Sequence, residues 1–301
     1  MIDARLRAPP AMKRLPYSRH PLRLALAAAL ALPVALAGCA TLDEKQREWI
    51  FQPSTQTWYG GAAAAEGMSD VWIEFNSREA GGAPVKLHAL WLAQPRADAP
   101  VMLYLHGARW DVRSSAQRMR RMHELGFSVL GIDYRGFGQS TPALPSEALA
   151  HEDALAAWQW LADKYPRARR YAFGHSLGAA IAVRLAGDVD DAAGLIVEGS
   201  FPSMPELVKS MKWGWLPVTP LITQRFDAGA QIERVKVPLL VVHGSEDRLI
   251  QPTLGLALYE RAHEPKRFLL VEGGSHHNAN AVGQAAYRAA IDELFGVRAT
   301  P

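Results

Sequence analysis

The residues best placed to do covalent chemistry are a serine, a carboxylate and a histidine, each just beyond an apolar run. Gly174-His175-Ser176-Leu177-Gly178 has the pattern G-x-S-x-G, between the β-type run Tyr171-Ala172-Phe173 and the helix-like stretch Leu177 to Ala186. A strand that turns at once into a helix holds the serine hydroxyl at its tip, glycines on either side leave room for the turn, and the following N–H, of Leu177, can face an oxyanion. Such a serine needs a base, and the base needs an orienting acid. His243-Gly244-Ser245-Glu246-Asp247-Arg248 follows the run Leu239 to Val242 and supplies Asp247 as the expected acid, with Glu246 as its rival. Glu272-Gly273-Gly274-Ser275-His276-His277-Asn278 follows Phe268 to Val271 and supplies two adjacent imidazoles. A loop of about three residues brings His276 to its tip, so His276 is the expected base; a loop one residue longer would bring His277 instead.

The elements that must position these groups are legible as a rhythm. Short β-type runs recur at Val71 to Phe75, Leu87 to Leu92, Val101 to Leu105, Phe127 to Ile132, Tyr171 to Phe173, Gly194 to Val197, Leu239 to Val242 and Phe268 to Val271. The first two are separated by a polar, Gly-rich turn, which predicts an antiparallel pair. The later ones are apolar throughout and alternate with helix-like segments near Ser114 to Leu125, Ser146 to Lys164, Leu177 to Ala186, Thr253 to Ala262 and Ala281 to Phe295. Strands apolar on both faces and interleaved with helices predict an α/β domain with a mostly parallel, helix-covered sheet. Its ligands belong at the carboxyl ends of the strands, where the three candidate residues fall. His106 and His243 each precede a glycine at a strand end and are expected to stabilise turns.

Asp133-Tyr134-Arg135-Gly136-Phe137-Gly138-Gln139-Ser140, the G-H-S-L-G elbow and His243-Gly244-Ser245-Glu246-Asp247 together resemble α/β-hydrolases similar to the bud-emergence-46 and serine aminopeptidase groups, over roughly Val71 to Phe295. The resemblance implies an eight-stranded sheet, the chain order Ser, Asp, His, and an ester, thioester or amide bond as target. It also implies that the second oxyanion donor is a backbone N–H after Leu103-Tyr104-Leu105-His106-Gly107, assigned to Ala108 with Arg109 as the alternative. Relatives often carry Asn and Gly after that His-Gly, where this chain has Ala108-Arg109-Trp110, so the oxyanion loop should differ in shape. The fold usually inserts its lid where Phe201 to Phe226 stands. Four prolines and two tryptophans there predict a small cap of short, broken helices over 201–226. A serine at the elbow argues against the dehalogenase branch, which needs a carboxylate.

The N-terminus carries a different signal. A basic stretch ending at Arg23 precedes the apolar run Leu24 to Ala37, too short for a comfortable membrane span and interrupted by Pro33, which is the layout of a secretory signal. Leu36-Ala37-Gly38-Cys39 resembles the lipobox of bacterial lipoproteins, implying cleavage before Cys39, the sole cysteine, and its lipidation. Met12-Lys13-Arg14 would make a more usual signal start than Met1. Residues 1–38 hold six basic side chains and one acidic one, so the formal charge of +3 becomes −2 for the remainder. That excludes a polybasic body, and no nucleic-acid motif is present. No metal-ligand spacing or phosphate-binding glycine loop appears, and no cofactor is expected.

The expected organisation is a signal peptide at 1–38, a tether at 39–66 and a hydrolase domain at 67–301. The expected function is a serine hydrolase of small acyl substrates, tethered by lipid to the bacterial cell envelope, without nucleic acid. Esterase, thioesterase, peptidase and haloperoxidase chemistry share this machinery. A lipoprotein using the fold as a binding module is the alternative from a different class.

Overall fold

A computed structural model of the chain describes residues 38–298. The expected signal peptide, Gly38 aside, and the alternative start at Met12 lie outside the described residues. The chain divides into two compact units, Met1–Leu42 and Asp43–Pro301. In the first, residues 38–42 are helical and Cys39 is an exposed free cysteine. No helix among the described residues is long and apolar enough to cross a membrane.

The second unit holds eight strands: β1 (Ser69–Asn76), β2 (Pro84–Leu92), β3 (Val101–Leu105), β4 (Ser128–Ile132), β5 (Arg170–His175), β6 (Ala192–Glu198), β7 (Leu239–Gly244) and β8 (Lys266–Val271). They form one sheet in the order β1-β2-β4-β3-β5-β6-β7-β8, with β1 antiparallel to β2, β2 antiparallel to β4 and the other neighbours parallel. This is the predicted arrangement, and the burial explains it. Every residue of β3, β4 and β7 is buried. Along β3, Val101, Leu103 and Leu105 enter one hydrophobic core while Met102 and Tyr104 enter the other. The alternation follows from the two-residue period of a strand. The first core is closed by helices over Glu147–Lys164 and Leu177–Asp188, the second by helices over Ala116–Glu124 and Gln284–Phe295.

Three local expectations are refined. The helix expected from Ala281 is split into Ala279–Val282 and Gln284–Phe295, because Gly283 packs onto Val271 so closely that a Cβ would lie 2.7 Å from its Cγ2. The cap over 201–226 is broken, with one helix at Met204–Ser210 and a 3-10 turn at Thr219–Leu221. The compact unit begins at Asp43 and not at 67, so most of the expected 39–66 tether is part of the domain. Residues 43–51 form a helix, α1, ending in Phe51, which is buried against Phe137 and Phe226 at ring-centroid distances of 6.5 and 5.6 Å. Burying one aromatic ring is worth roughly 2 kcal/mol, enough to seat this short helix when hydrogen bonds accompany it.

Candidate active site

Ser176 sits between β5 and the helix Leu177–Asp188 with φ 57° and ψ −122°, a left-handed backbone that costs a side-chain-bearing residue about 1–3 kcal/mol. The neighbours impose it. The Ser176 N–H donates to the Glu198 carbonyl at the end of β6 (2.9 Å), and the Ser176 carbonyl accepts from Ala179 (2.9 Å). The flanking glycines are required by close approach: a Cβ on Gly174 would lie 2.3 Å from the Gly178 carbonyl oxygen, and one on Gly178 would lie 2.2 Å from that of Leu105.

Asp247 and His276 meet across the ends of β7 and β8. His276 is buried, and its Nδ1–H donates to Asp247 Oδ2 at 2.7 Å. The other carboxylate oxygen accepts the N–H groups of Leu249 (2.9 Å) and Ile250 (2.8 Å). Burial pushes the Asp247 carboxyl up, but hydrogen bonding from His243 and His276 and the Ile250 N–H outweigh it and hold the group below the usual carboxylate range. Glu246 and His277, the two rivals, are exposed. His276 Nε2 has no hydrogen-bond partner among the described residues, and neither has Ser176 Oγ. The turn histidines behave as expected: His243 donates from Nε2 to the Ile250 carbonyl (2.8 Å), and His106 bonds the Gly107 carbonyl (2.7 Å) with its ring against Tyr134 and Phe137.

Two side chains not singled out in the sequence pin the histidine loop. His175, the residue before the serine, hydrogen-bonds through Nε2 to the His276 carbonyl (3.0 Å), with ring centroids 4.9 Å apart. Burial, then the charge of Arg118, pushes its imidazole well below the usual range, so it is a neutral donor. Arg118 pairs with the buried Glu198 (2.9 Å) and donates to the His277 carbonyl (3.1 Å), while Tyr287 also hydrogen-bonds Glu198. Ser176 and His276 are thus set by one buried network. A carboxylate ending an otherwise apolar strand, Glu198 after Val197, was the sequence signal for it.

The loop after β3 is held in an unusual backbone. Arg109 and Trp110 both have left-handed backbones (φ 69° and 57°). The Arg109 N–H donates to the Phe51 carbonyl (2.9 Å), so it is engaged within the fold. The Arg109 side chain donates from Nε to Gln52 Oε1 (2.8 Å), and the Asp111 N–H donates to the Gln56 carbonyl (3.1 Å). Segment 51–56 therefore splints the loop. Leu177 is the first residue of its helix, where an N–H has no intrahelical partner.

Comparison with known proteins agrees with this architecture. Residues 96–228 match the family model described as serine aminopeptidase, S33, a stretch that ends before Asp247 and His276. An uncharacterized protein of Mycobacterium tuberculosis is 38% identical over 181 residues, covering 60% of this chain and 63% of that protein. The lysophosphatidylserine lipase ABHD12 of Danio rerio is 30% identical over 186 residues, covering 56% of this chain and 48% of that one. The chain thus spans about half to two thirds of the length of these curated relatives. Among solved structures, an esterase of Pyrococcus furiosus aligns with a TM-score of 0.64 at 21% identity, over 82% of this chain and 97% of that one. The esterase domain of a Rhodothermus marinus protein aligns with a TM-score of 0.56 at 18% identity, over 76% and 100%. The fold is that of the α/β-hydrolases.

Proposed function

We propose that this protein is a serine hydrolase that cleaves an acyl ester or thioester bond through Ser176, His276 and Asp247. The observation that carries the reading is the buried His276–Asp247 hydrogen bond on a loop pinned by the residue next to Ser176. Ser176 Oγ attacks the acyl carbonyl while His276 Nε2 takes its proton, and Asp247 holds the resulting imidazolium. The oxyanion is received by the N–H groups of Ala108 and Leu177, each worth about 10²–10³ in rate. The imidazolium returns the proton to the leaving alcohol or thiol, giving an acyl-enzyme; water, deprotonated by His276, then releases the acid and restores Ser176. The serine aminopeptidase match and the lipase and esterase likenesses support acyl transfer as the reaction class. A panel of p-nitrophenyl esters of graded chain length tests the reading. Hydrolysis by the wild type and none by Ser176→Ala is the expected result; equal rates for both would refute it.

The lipobox supports a second part of the reading: cleavage before Cys39, acylation of its thiol and attachment at the bacterial cell envelope. Acyl burial contributes ~0.8 kcal/mol per CH₂, and stable anchoring takes more than one chain. Wild-type protein should fractionate with membranes and Cys39→Ala should lack lipid. Wild-type protein in soluble form, with an N-terminus other than Cys39, would contradict the anchor.

A further inference from the structure

Aromatic side chains exposed to water are concentrated at one end of the folded unit. Among the described residues the exposed rings are Trp49, Trp58, Tyr59, Trp72, Trp110, Trp213 and Trp215, and all but Trp72 lie on segments attached to the carboxyl edge of the parallel strands. Trp110 is on the oxyanion loop, and Trp58 is tied to that loop by its N–H to Ser114 Oγ (2.7 Å). The cap that carries Trp213 and Trp215 starts at Phe201, two residues after Gly199, whose Cβ position lies 3.1 Å from the His276 ring. The cap and α1 are bonded together: Gln46 Nε2 donates to the Leu221 carbonyl (2.7 Å) and Gln46 Oε1 accepts from the Thr223 N–H (2.8 Å).

Within the cap the exposure is extreme and the charge is one-sided. Trp213 is 63% exposed and Trp215 73%, with their rings 6.5 Å apart, and Met211, Leu216, Val218 and Leu221 beside them are also exposed. The cap holds the cations Lys209, Lys212 and Arg225 against one carboxylate, Glu206, which is itself paired with Arg261 (2.9 Å). A small domain core would not leave two neighbouring indoles in water, and a purely solvated surface would mix both charges. Tryptophans beside aliphatic side chains, edged by lysines and with the one cap carboxylate already paired, suit the interface of a bilayer with negative headgroups: the indole bridges the headgroup and acyl zones, and each cation is drawn to the charged surface.

We propose that the exposed face of the cap, centred on Trp213 and Trp215 with Lys209 and Lys212 at its edge, seats on the surface of an anionic lipid bilayer. Seated so, the carboxyl edge of the sheet faces the membrane, and an acyl substrate reaches Ser176 from the lipid and not from bulk water. The substrate half of this inference rests on the hydrolase reading above; the docking half does not.

The test uses the full chain reconstituted in vesicles of phosphatidylcholine and phosphatidylglycerol, with an environment-sensitive thiol probe on Trp213→Cys, Trp215→Cys or Asp98→Cys and wild type as the labelling background. Asp98 is exposed and precedes β3, at the opposite edge of the sheet. Probes at 213 and 215 should shift to the blue and be quenched by lipid-borne nitroxides at least about threefold more than the probe at 98, and Lys209→Gln/Lys212→Gln should weaken that quenching. Equal quenching at all three sites would overturn the proposal. So would a blue shift at 213 without vesicles accompanied by a doubling of mass, which would assign the face to a second copy of the chain. These readouts need no catalysis, so they stand if the enzyme reading fails. In the kinetic arm, Trp213→Ser/Trp215→Ser should hydrolyse soluble p-nitrophenyl acetate within about twofold of wild type but a long-chain ester held in the same vesicles about fivefold more slowly. An equal loss on both substrates would show that the indoles serve the pocket, against the proposal.

Discussion

Two histidine–aspartate pairs in this molecule have the same short bond and opposite fates. His276 Nδ1 lies 2.7 Å from Asp247 Oδ2, and His88 Nδ1 lies 2.7 Å from Asp133 Oδ2. The difference is at the far nitrogen. His88 Nε2 is bonded to Asp70 at 2.8 Å in the middle of β2, whereas His276 Nε2, on the loop beyond β8, has no hydrogen-bond partner among the described residues. Burial pushes the His88 imidazole down, but hydrogen bonds to Asp133 and Asp70 outweigh it and hold the group above the usual imidazole range. Asp133 also accepts the Val112 N–H (2.7 Å), so the pair fastens the stretch that leaves the oxyanion loop. A His–Asp bond alone therefore makes a brace; a base requires the second nitrogen to be left available.

The comparison breaks most visibly on activity. His276→Ala should lower kcat about 10⁴- to 10⁶-fold, as should Ser176→Ala, with little change in Tm, because the members of a triad act as a unit. His88→Ala should do the reverse: breaking a buried pair and leaving Asp133 unpaired costs about 3–5 kcal/mol, read as a lower urea midpoint, with residual activity in whatever folds. Asp247→Asn should lose about 10³–10⁴ in kcat while retaining substrate affinity, since the imidazole loses its orientation and the support for its charge. The adjacent His277 sharpens the contrast. It is exposed and its ring has no hydrogen-bond partner among the described residues, so His277→Ala should cost less than about tenfold in kcat. Inactivation by His277→Ala with a functional His276→Ala would move the base by one residue.

The smallest effect is a pH dependence. A histidine whose folded pKa is raised contributes stability that is fully present below its unfolded value of about 6.5 and is lost as pH rises through the folded value. The stability gap between wild type and His88→Gln should thus be widest near about pH 6 and narrow toward alkaline pH. A gap that widened with pH would mean that His88 is neutral in the fold.

The sheet was legible because each strand is a short apolar run between polar turns, and its central members are buried on both faces. The candidates Ser176, Asp247 and His276 could be picked out because each stands one turn past a strand end, where a sheet of this kind binds its ligands. What escaped was held by contacts between distant segments. No periodicity reveals that Phe51 fills a space beside Phe137 and Phe226, or that its carbonyl takes up the Arg109 N–H. The domain therefore starts at Asp43 and not at 67. Likewise, Arg118 and His175 reach carbonyls of the base loop more than a hundred positions away, which only the folded sheet brings together.

The central claim is that Ser176 is an activated nucleophile, and covalent capture addresses it most directly. Incubating the purified full-length protein with a fluorophosphonate and mapping the adduct by peptide mass spectrometry should place one phosphonyl group on Ser176, with labelling abolished in Ser176→Ala and slowed by orders of magnitude in His276→Ala. A well-folded wild-type protein that takes up no phosphonate, or takes it up at another residue, would contradict the account.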